Sequence, residues 1–125
     1  MILDTNGLSA LAEGEASLGS ILRKAAQVAV PVIVLGEYRY GIGRSRQHRR
    51  YEDWLAEYLP TLLILDVDER TSLQYAAVRT ELKKAGTPIP SNDVWIAALC
   101  RQHSLPLLSR DRHFDAVSGI RRIDW

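Results

Sequence analysis

The sequence predicts an α/β fold, a mainly parallel sheet of roughly five strands with helices packed on both faces. Three observations predict it. Apolar runs of strand length recur at residues 1–3, 28–30, 62–65, 105–108 and, weakly, around Ile123. None of them alternates apolar with polar residues, which is the pattern of strands covered on both faces. Longer segments with apolar residues at helical spacing lie between them, so the strand–helix–strand order repeats and calls for right-handed crossovers.

Taken in order, Ile2 and Leu3 suit a strand, and Asp4, Thr5 and Asn6 end it. Residues 16–27 place Leu18, Ile21, Leu22 and Ala25 at helical spacing. After the run at 28–30, Pro31 suits the first turn of a helix over 32–42. A third helix over 47–59 is closed by Pro60. A fourth over Glu69–Ala85 sets Tyr75, Val78, Leu82 and Ala85 on one face and stops at Gly86, a C-terminal glycine. The fifth, over 92–103, has Ser91 as its cap and Ile96, Leu99, Cys100 and His103 at i, i+3, i+4, i+7.

The bulk composition narrows the function classes. A chain of 125 residues is one domain, 1–125, and needs no disulfide or metal staple to fold. It is 46% hydrophobic and 25% charged, which is globular and not disordered. The single cysteine, Cys100, excludes an intrachain disulfide and a Cys/His zinc cluster, and fits a reducing compartment. No basic leader precedes an apolar stretch, and the near-apolar run 28–35 is too short to span a bilayer. The expectation is a soluble cytoplasmic protein with no membrane contact.

Four carboxylates stand at element ends or on an apolar face. Asp4 ends the first strand, and "LPLLSRD" puts Ser109 and Asp111 just beyond the fourth. "IPSND" puts Asp93 in the first turn of the last helix. Glu37 sits among Ile33, Val34, Tyr40 and Gly41 at i−4, i−3, i+3 and i+4, where a carboxylate needs a partner. Each has a plain structural explanation too. Asp4 can favour a turn or cap the following helix, Asp111 can cap the turn that follows it, and Asp93 is favoured by the helix dipole. If the first and fourth strands are neighbours, however, the acids converge at the carboxyl edge of the sheet, where ligands of such folds bind. Crowded carboxylates repel one another, and a divalent cation relieves the repulsion. Oxygen donors without nearby His or Cys indicate Mg²⁺ or Mn²⁺, ions suited to phosphodiester hydrolysis.

"MILDTN", "GEYRYGI", "GTPIPSNDVWIAA" and "LPLLSRDRHF" resemble, in order and spacing, the motifs of the PIN-domain ribonucleases. The closer resemblance is to the VapC-type toxins of bacterial toxin–antitoxin pairs, and it covers essentially the whole chain. It implies a PIN-like three-layer α/β/α fold and a metal-dependent endoribonuclease. It implies cleavage of RNA (tRNA, rRNA or mRNA) to a 5′-phosphate and a 3′-hydroxyl, restraint by a cognate antitoxin from a neighbouring gene, and homodimers. Asp4, Glu37, Asp93 and Asp111 match the family's acidic set. Asp4, Asp93 and Asp111 then bind the ion, Glu37 positions ion or water, and Thr5, Asn6 and Ser109 support the site. One position departs: many relatives carry an acid directly before the phenylalanine of the last motif, and here that residue is His113, before Phe114.

Basic residues are locally dense. "RYGIGRSRQHRR" holds Arg39, Arg44, Arg46, Arg49 and Arg50, although the chain's net charge is only +1. Such a run is either a solvated helix start or a strip that contacts RNA phosphates, through Arg44, Arg46, Arg49 and Arg50. Arg110 and Arg112 flank Asp111 and either reach substrate phosphates or pair with carboxylates. Tyr38, Tyr40, Tyr51, Trp54 and Tyr58 cluster around the strip at spacings typical of packing, and also of a groove for a partner helix. His48, His103 and His113 are too scattered to form a ligand set, and His103 is expected on the inner face of its helix. The competing readings are a non-catalytic metal-binding or protein-interaction module of the same fold, and a DNA or flap nuclease. The latter is disfavoured because the chain lacks room for strand-threading elements.

Overall fold

The computed structural model describes all of residues 1–125. Five short strands form one parallel sheet in the order β3-β2-β1-β4-β5: β1 Ile2–Leu3, β2 Ala29–Pro31, β3 Leu63–Leu65, β4 Leu107–Leu108 and β5 Arg122–Ile123. Six helices connect them: α1 Thr5–Ala12, α2 Ala16–Arg23, α3 Val32–Gly43, α4 His48–Tyr58, α5 Glu69–Ala85 and α6 Ser91–His103. The chain runs from β1 through β2 to β3 in one direction and then returns past β1 to β4. Right-handed crossovers therefore put α1–α4 on one face and α5 and α6 on the other. The packing agrees, with α1 against α2, α3 and α4, and α5 along α6. The expected three-layer parallel fold is what the chain adopts. No helix is long and apolar enough to cross a membrane.

The central strands are apolar because both their faces are covered. Ile2, Leu3, Val30, Leu107 and Leu108 are all fully buried, as are Leu8, Leu18, Val34 and Leu99 from the helices above and below. At roughly 1.5–3 kcal/mol per fully buried aliphatic side chain, this layer is the main source of stability. Strand order also fixes the position of the site. The topology reverses between β1 and β4, and Leu3 pairs in register with Leu108. Asp4 and Ser109, one residue further on, are therefore side by side at the carboxyl edge.

Five local expectations are corrected. Residues 5–12, to which the sequence reading gave no helix, form α1; the Thr, Asn, Gly and Ser there signal a turn, but Leu8, Leu11 and Ala12 pack on the core. α2 stops at Arg23 and not at residue 27. The Gln27 carbonyl accepts from the N-terminal amine of Met1 and the Val28 carbonyl from Leu63 N, so sheet bonds recruit this stretch in place of helical ones. Pro31 closes β2 and stands as the N-cap of α3. Ser91 is the first helical residue of α6 and makes no side-chain cap, because Pro90 precedes it. His103 is exposed; Ile96, Leu99 and Cys100 alone carry the buried face expected of that set.

Candidate active site

Asp4 has two jobs, one for each oxygen. It is the N-cap of α1, and its Oδ1 accepts a hydrogen bond from Gly7 N at 2.8 Å. Its Oδ2 accepts from the Ser109 hydroxyl. Ser109 Oγ in turn accepts from Asp111 N at 2.9 Å. A chain of bonds thus runs from the Asp111 amide through Ser109 to Asp4, and ties the ends of β1 and β4 together. Asp4 is only 5% exposed. Burial raises its carboxyl pKa above the usual 3.8, against the pull of the Ser109 and Gly7 hydrogen bonds, and the charge of Asp111 adds to the rise.

Asp93 enters from the first turn of α6. Its pKa is also raised, first by burial and then by the charge of Asp111; His113 offsets part of this and Glu37 adds to it. Asp111 caps the 3-10 turn Arg112–Ala116 by accepting from His113 N at 2.9 Å. Glu37 comes from the middle of α3. Asp4, Thr5, Asn6, Glu37, Asp93, Ile96 and Asp111 together line one cleft of about 240 Å³. The four acids foreseen in the sequence do converge. The face around Glu37 is less apolar than expected, since Tyr40 is 69% exposed.

The donor set fits a divalent cation. Two of the four carboxyls are driven toward protonation by burial and by one another's charge, and no Lys or Arg forms an ion pair with Asp4, Glu37, Asp93 or Asp111. The donors are mainly oxygen, which suits a hard ion. The PIN-domain family pattern matches residues 1–120. The chain belongs to the PIN-domain family. It is 31% identical to Ribonuclease VapC2 of Haemophilus influenzae, over 82% of this chain and 79% of that one. It is 28% identical to the tRNA(fMet)-specific endonuclease VapC of Salmonella typhimurium, over 79% and 76% of the two chains. Its structure superposes with a TM-score of 0.90 on VapBC2 from Rickettsia felis, solved bound to a DNA fragment from its promoter. That match has 26% identity and covers 99% of this chain and 97% of that one.

Within this PIN domain the basic residues occupy different surroundings. Arg44 ends α3, with its guanidinium 5.5 Å from the Tyr40 ring centroid. Arg50 donates to Gln47, lies over Tyr51 and sits 3.7 Å from Glu13. Arg46 and Arg49 are exposed. Arg110 is engaged: it pairs with Glu15 at 2.6 Å, donates to the Trp125 carbonyl and stacks on the Trp125 ring. Pairing with carboxylates, one of its two expected roles, is thus what this structure displays. Arg112 is exposed beside the cleft residue Asp111.

Among the aromatics of the basic region, Tyr38, Trp54 and Tyr58 pack on one another, while Tyr40 is exposed. Trp54 stacks on Tyr58 and meets Tyr38 edge-on. Trp95 stacks on Tyr75 across the α5–α6 contact.

One residue beside the site was not foreseen. His113 lies next to the acids: its Nδ1 is 3.2 Å from Asp111 Oδ1 and 3.6 Å from Asp93 Oδ2. The signal available was its place two residues after Asp111, inside the turn that Asp111 caps. Gly7 was missed as well. Its Cα faces Asp4 so closely that an added Cβ would lie 3.2 Å from Asp4 Oδ1.

Proposed function

We propose that this PIN domain is a divalent-metal-dependent endoribonuclease that serves as the toxin of a toxin–antitoxin pair. The observation that carries the reading is the convergence of Asp4, Glu37, Asp93 and Asp111 on one cleft at the β1/β4 switch point. The VapC ribonuclease relatives support the RNA-cleaving activity, and the VapBC complexes support an antitoxin partner. Homodimers belong to the same reading, as does a cytoplasmic site of action.

Asp4, Asp93 and Asp111 would hold Mg²⁺ or Mn²⁺, with Thr5, Asn6 and Ser109 supporting them. Ser109 keeps Asp4 oriented, and Gly7 N fixes its second oxygen. The ion supplies Lewis-acid polarisation of a phosphoryl oxygen and neutralises the charge of the phosphodiester. Glu37 takes a proton from the attacking water as its oxygen bonds to phosphorus. The P–O3′ bond breaks, and the departing 3′-oxygen takes a proton from solvent. The products are a 5′-phosphate and a 3′-hydroxyl. Arg44, Arg46, Arg49 and Arg50 would contact phosphates along the strand, and Arg112 those near the cleft.

The test is cleavage of a labelled total tRNA and rRNA substrate by chelator-treated protein, with and without added Mg²⁺ or Mn²⁺. Ion-dependent cuts bearing 5′-phosphates support the reading. Persistent absence of cutting with either ion, in folded protein freed of antitoxin, contradicts it and leaves the non-catalytic module.

A further inference from the structure

The position of His113 says something about which ion this site prefers, an inference that rests on the metal-dependent reading above. Three donor groups, the carboxylates of Asp93 and Asp111 and the ring of His113, have ligand atoms within 4.8 Å of one another. Nδ1 itself is 3.2 Å from one carboxylate oxygen and 3.6 Å from the other. Adjacent ligands on a six-coordinate ion with bonds of about 2.0–2.1 Å lie roughly 3 Å apart, so the spacing is close to that of two neighbouring ligands. The backbone that carries the ring is also held in place. The His113 N–H is bonded to Asp111 Oδ1, and the next residue, Phe114, is anchored in the core at 1% exposure. Its Nδ1 has no hydrogen-bond acceptor outside the cleft acids.

We propose that His113 is a nitrogen ligand of the ion in this cleft and biases the site toward Mn²⁺ or a later first-row ion over Mg²⁺. The chemical reason is donor type. Mg²⁺ prefers oxygen and water, whereas an imidazole nitrogen gains affinity along the first-row series. An all-oxygen set would lack this nitrogen preference, so His113 changes the selectivity of the cleft and not its architecture.

The test uses metal-free full-length protein, with Mn²⁺ binding followed by electron paramagnetic resonance and Mg²⁺ and Co²⁺ as competitors. Wild type is compared with His113→Asp and His113→Gln. His113 is exposed, so both variants are expected to keep the wild-type fold, checked by circular dichroism. Wild type should show nitrogen hyperfine coupling from a bound imidazole, and both variants should lose it. The affinity ratio of Mn²⁺ to Mg²⁺ should fall roughly tenfold in His113→Asp as the donor set becomes all oxygen. Mn²⁺ binding that Asp93→Asn abolishes but that shows no nitrogen coupling, or the same ratio in His113→Asp, overturns the role of His113 and leaves the metal-dependent reading intact. Binding of neither Mn²⁺ nor Co²⁺ to folded wild type overturns both.

Discussion

At the scale of single residues, the feature that matters is that Asp4 is both a helix cap and a buried charge. Those roles separate on mutation. Asn caps a helix as well as Asp does, so Asp4→Asn keeps the bond from Gly7 N and the fold. Its neutral amide is a poor ion ligand, and cleavage should fall by at least roughly a hundredfold, the scale of a lost metal contribution. The stability effect runs the other way. The folded-state pKa of Asp4 is raised, so its contribution to stability is favourable below the unfolded value, near 3.8, and is lost as pH rises through the folded value. At neutral pH the metal-free protein therefore carries the cost of an ionised, buried Asp4. Melting of the metal-free variant should be higher than wild type at pH 7, and the two should converge near pH 3. A variant that melts lower than wild type at pH 7 would contradict this sign.

Asp93 shares that direction, and metal should reverse the penalty. Added Mn²⁺ or Mg²⁺ should raise the melting temperature of wild type, by about 2.7 kcal/mol of stability at a hundredfold excess over Kd, and Asp93→Asn should blunt the rise. The four acids could be picked out in the sequence because strand ends, a helix start and an apolar neighbourhood are visible in one dimension. The nearness of His113 to Asp93 was not, because that contact joins α6 to the turn after β4, and spacing along the chain does not display it.

At the scale of elements, α1 is the least readable and the most closely coupled to the site. Thr5, Asn6 and Gly7 look like turn residues, and only the packing of Leu8 and Leu11 makes the segment helical. Gly7 permits a close approach there. A Cβ at this position would meet Asp4 Oδ1 and Leu3 Cδ2 at 3.2 Å and the Leu108 carbonyl at 3.3 Å. Gly7→Ala should destabilise by about 1–3 kcal/mol, as overpacked sites do, and should lower cleavage further by displacing the Asp4 carboxylate. Denaturant unfolding and single-turnover cleavage read the two effects separately; unchanged values in both would remove the coupling. By contrast α5 follows the expected range, because its one-sided apolar spacing and the left-handed Gly86 at its end are local signals; the structure adds an Asp68–Thr71 capping box at its start.

At the scale of the whole molecule, the fold was readable because a covered parallel sheet leaves an unmistakable trace of short apolar runs. Strand order was not, since nothing local states that β4 lies beside β1; the converging acids only made that order attractive. The arginine strip that runs from the end of α3 into α4 belongs to this scale too, because phosphate contacts act through the summed field. Arg49→Ala with Arg50→Ala should weaken RNA binding across sequences. On single strands each lost contact should flatten the slope of log K against log salt by about 0.7. Unchanged slope and affinity, with antitoxin binding or dimerisation lost instead, would assign the strip to a protein partner.

In the proposed function, four acids from four parts of the chain make one ion-dependent ribonuclease site. The most direct measurement is the single-turnover cleavage rate of one RNA by wild type and by Asp4→Asn, Glu37→Gln, Asp93→Asn and Asp111→Asn, each at saturating Mn²⁺, with melting temperatures alongside. All four variants should remain folded and each should lose most of the rate, because each carboxylate lines the same cleft. A wild-type rate in folded Asp4→Asn or Asp93→Asn would contradict the claim.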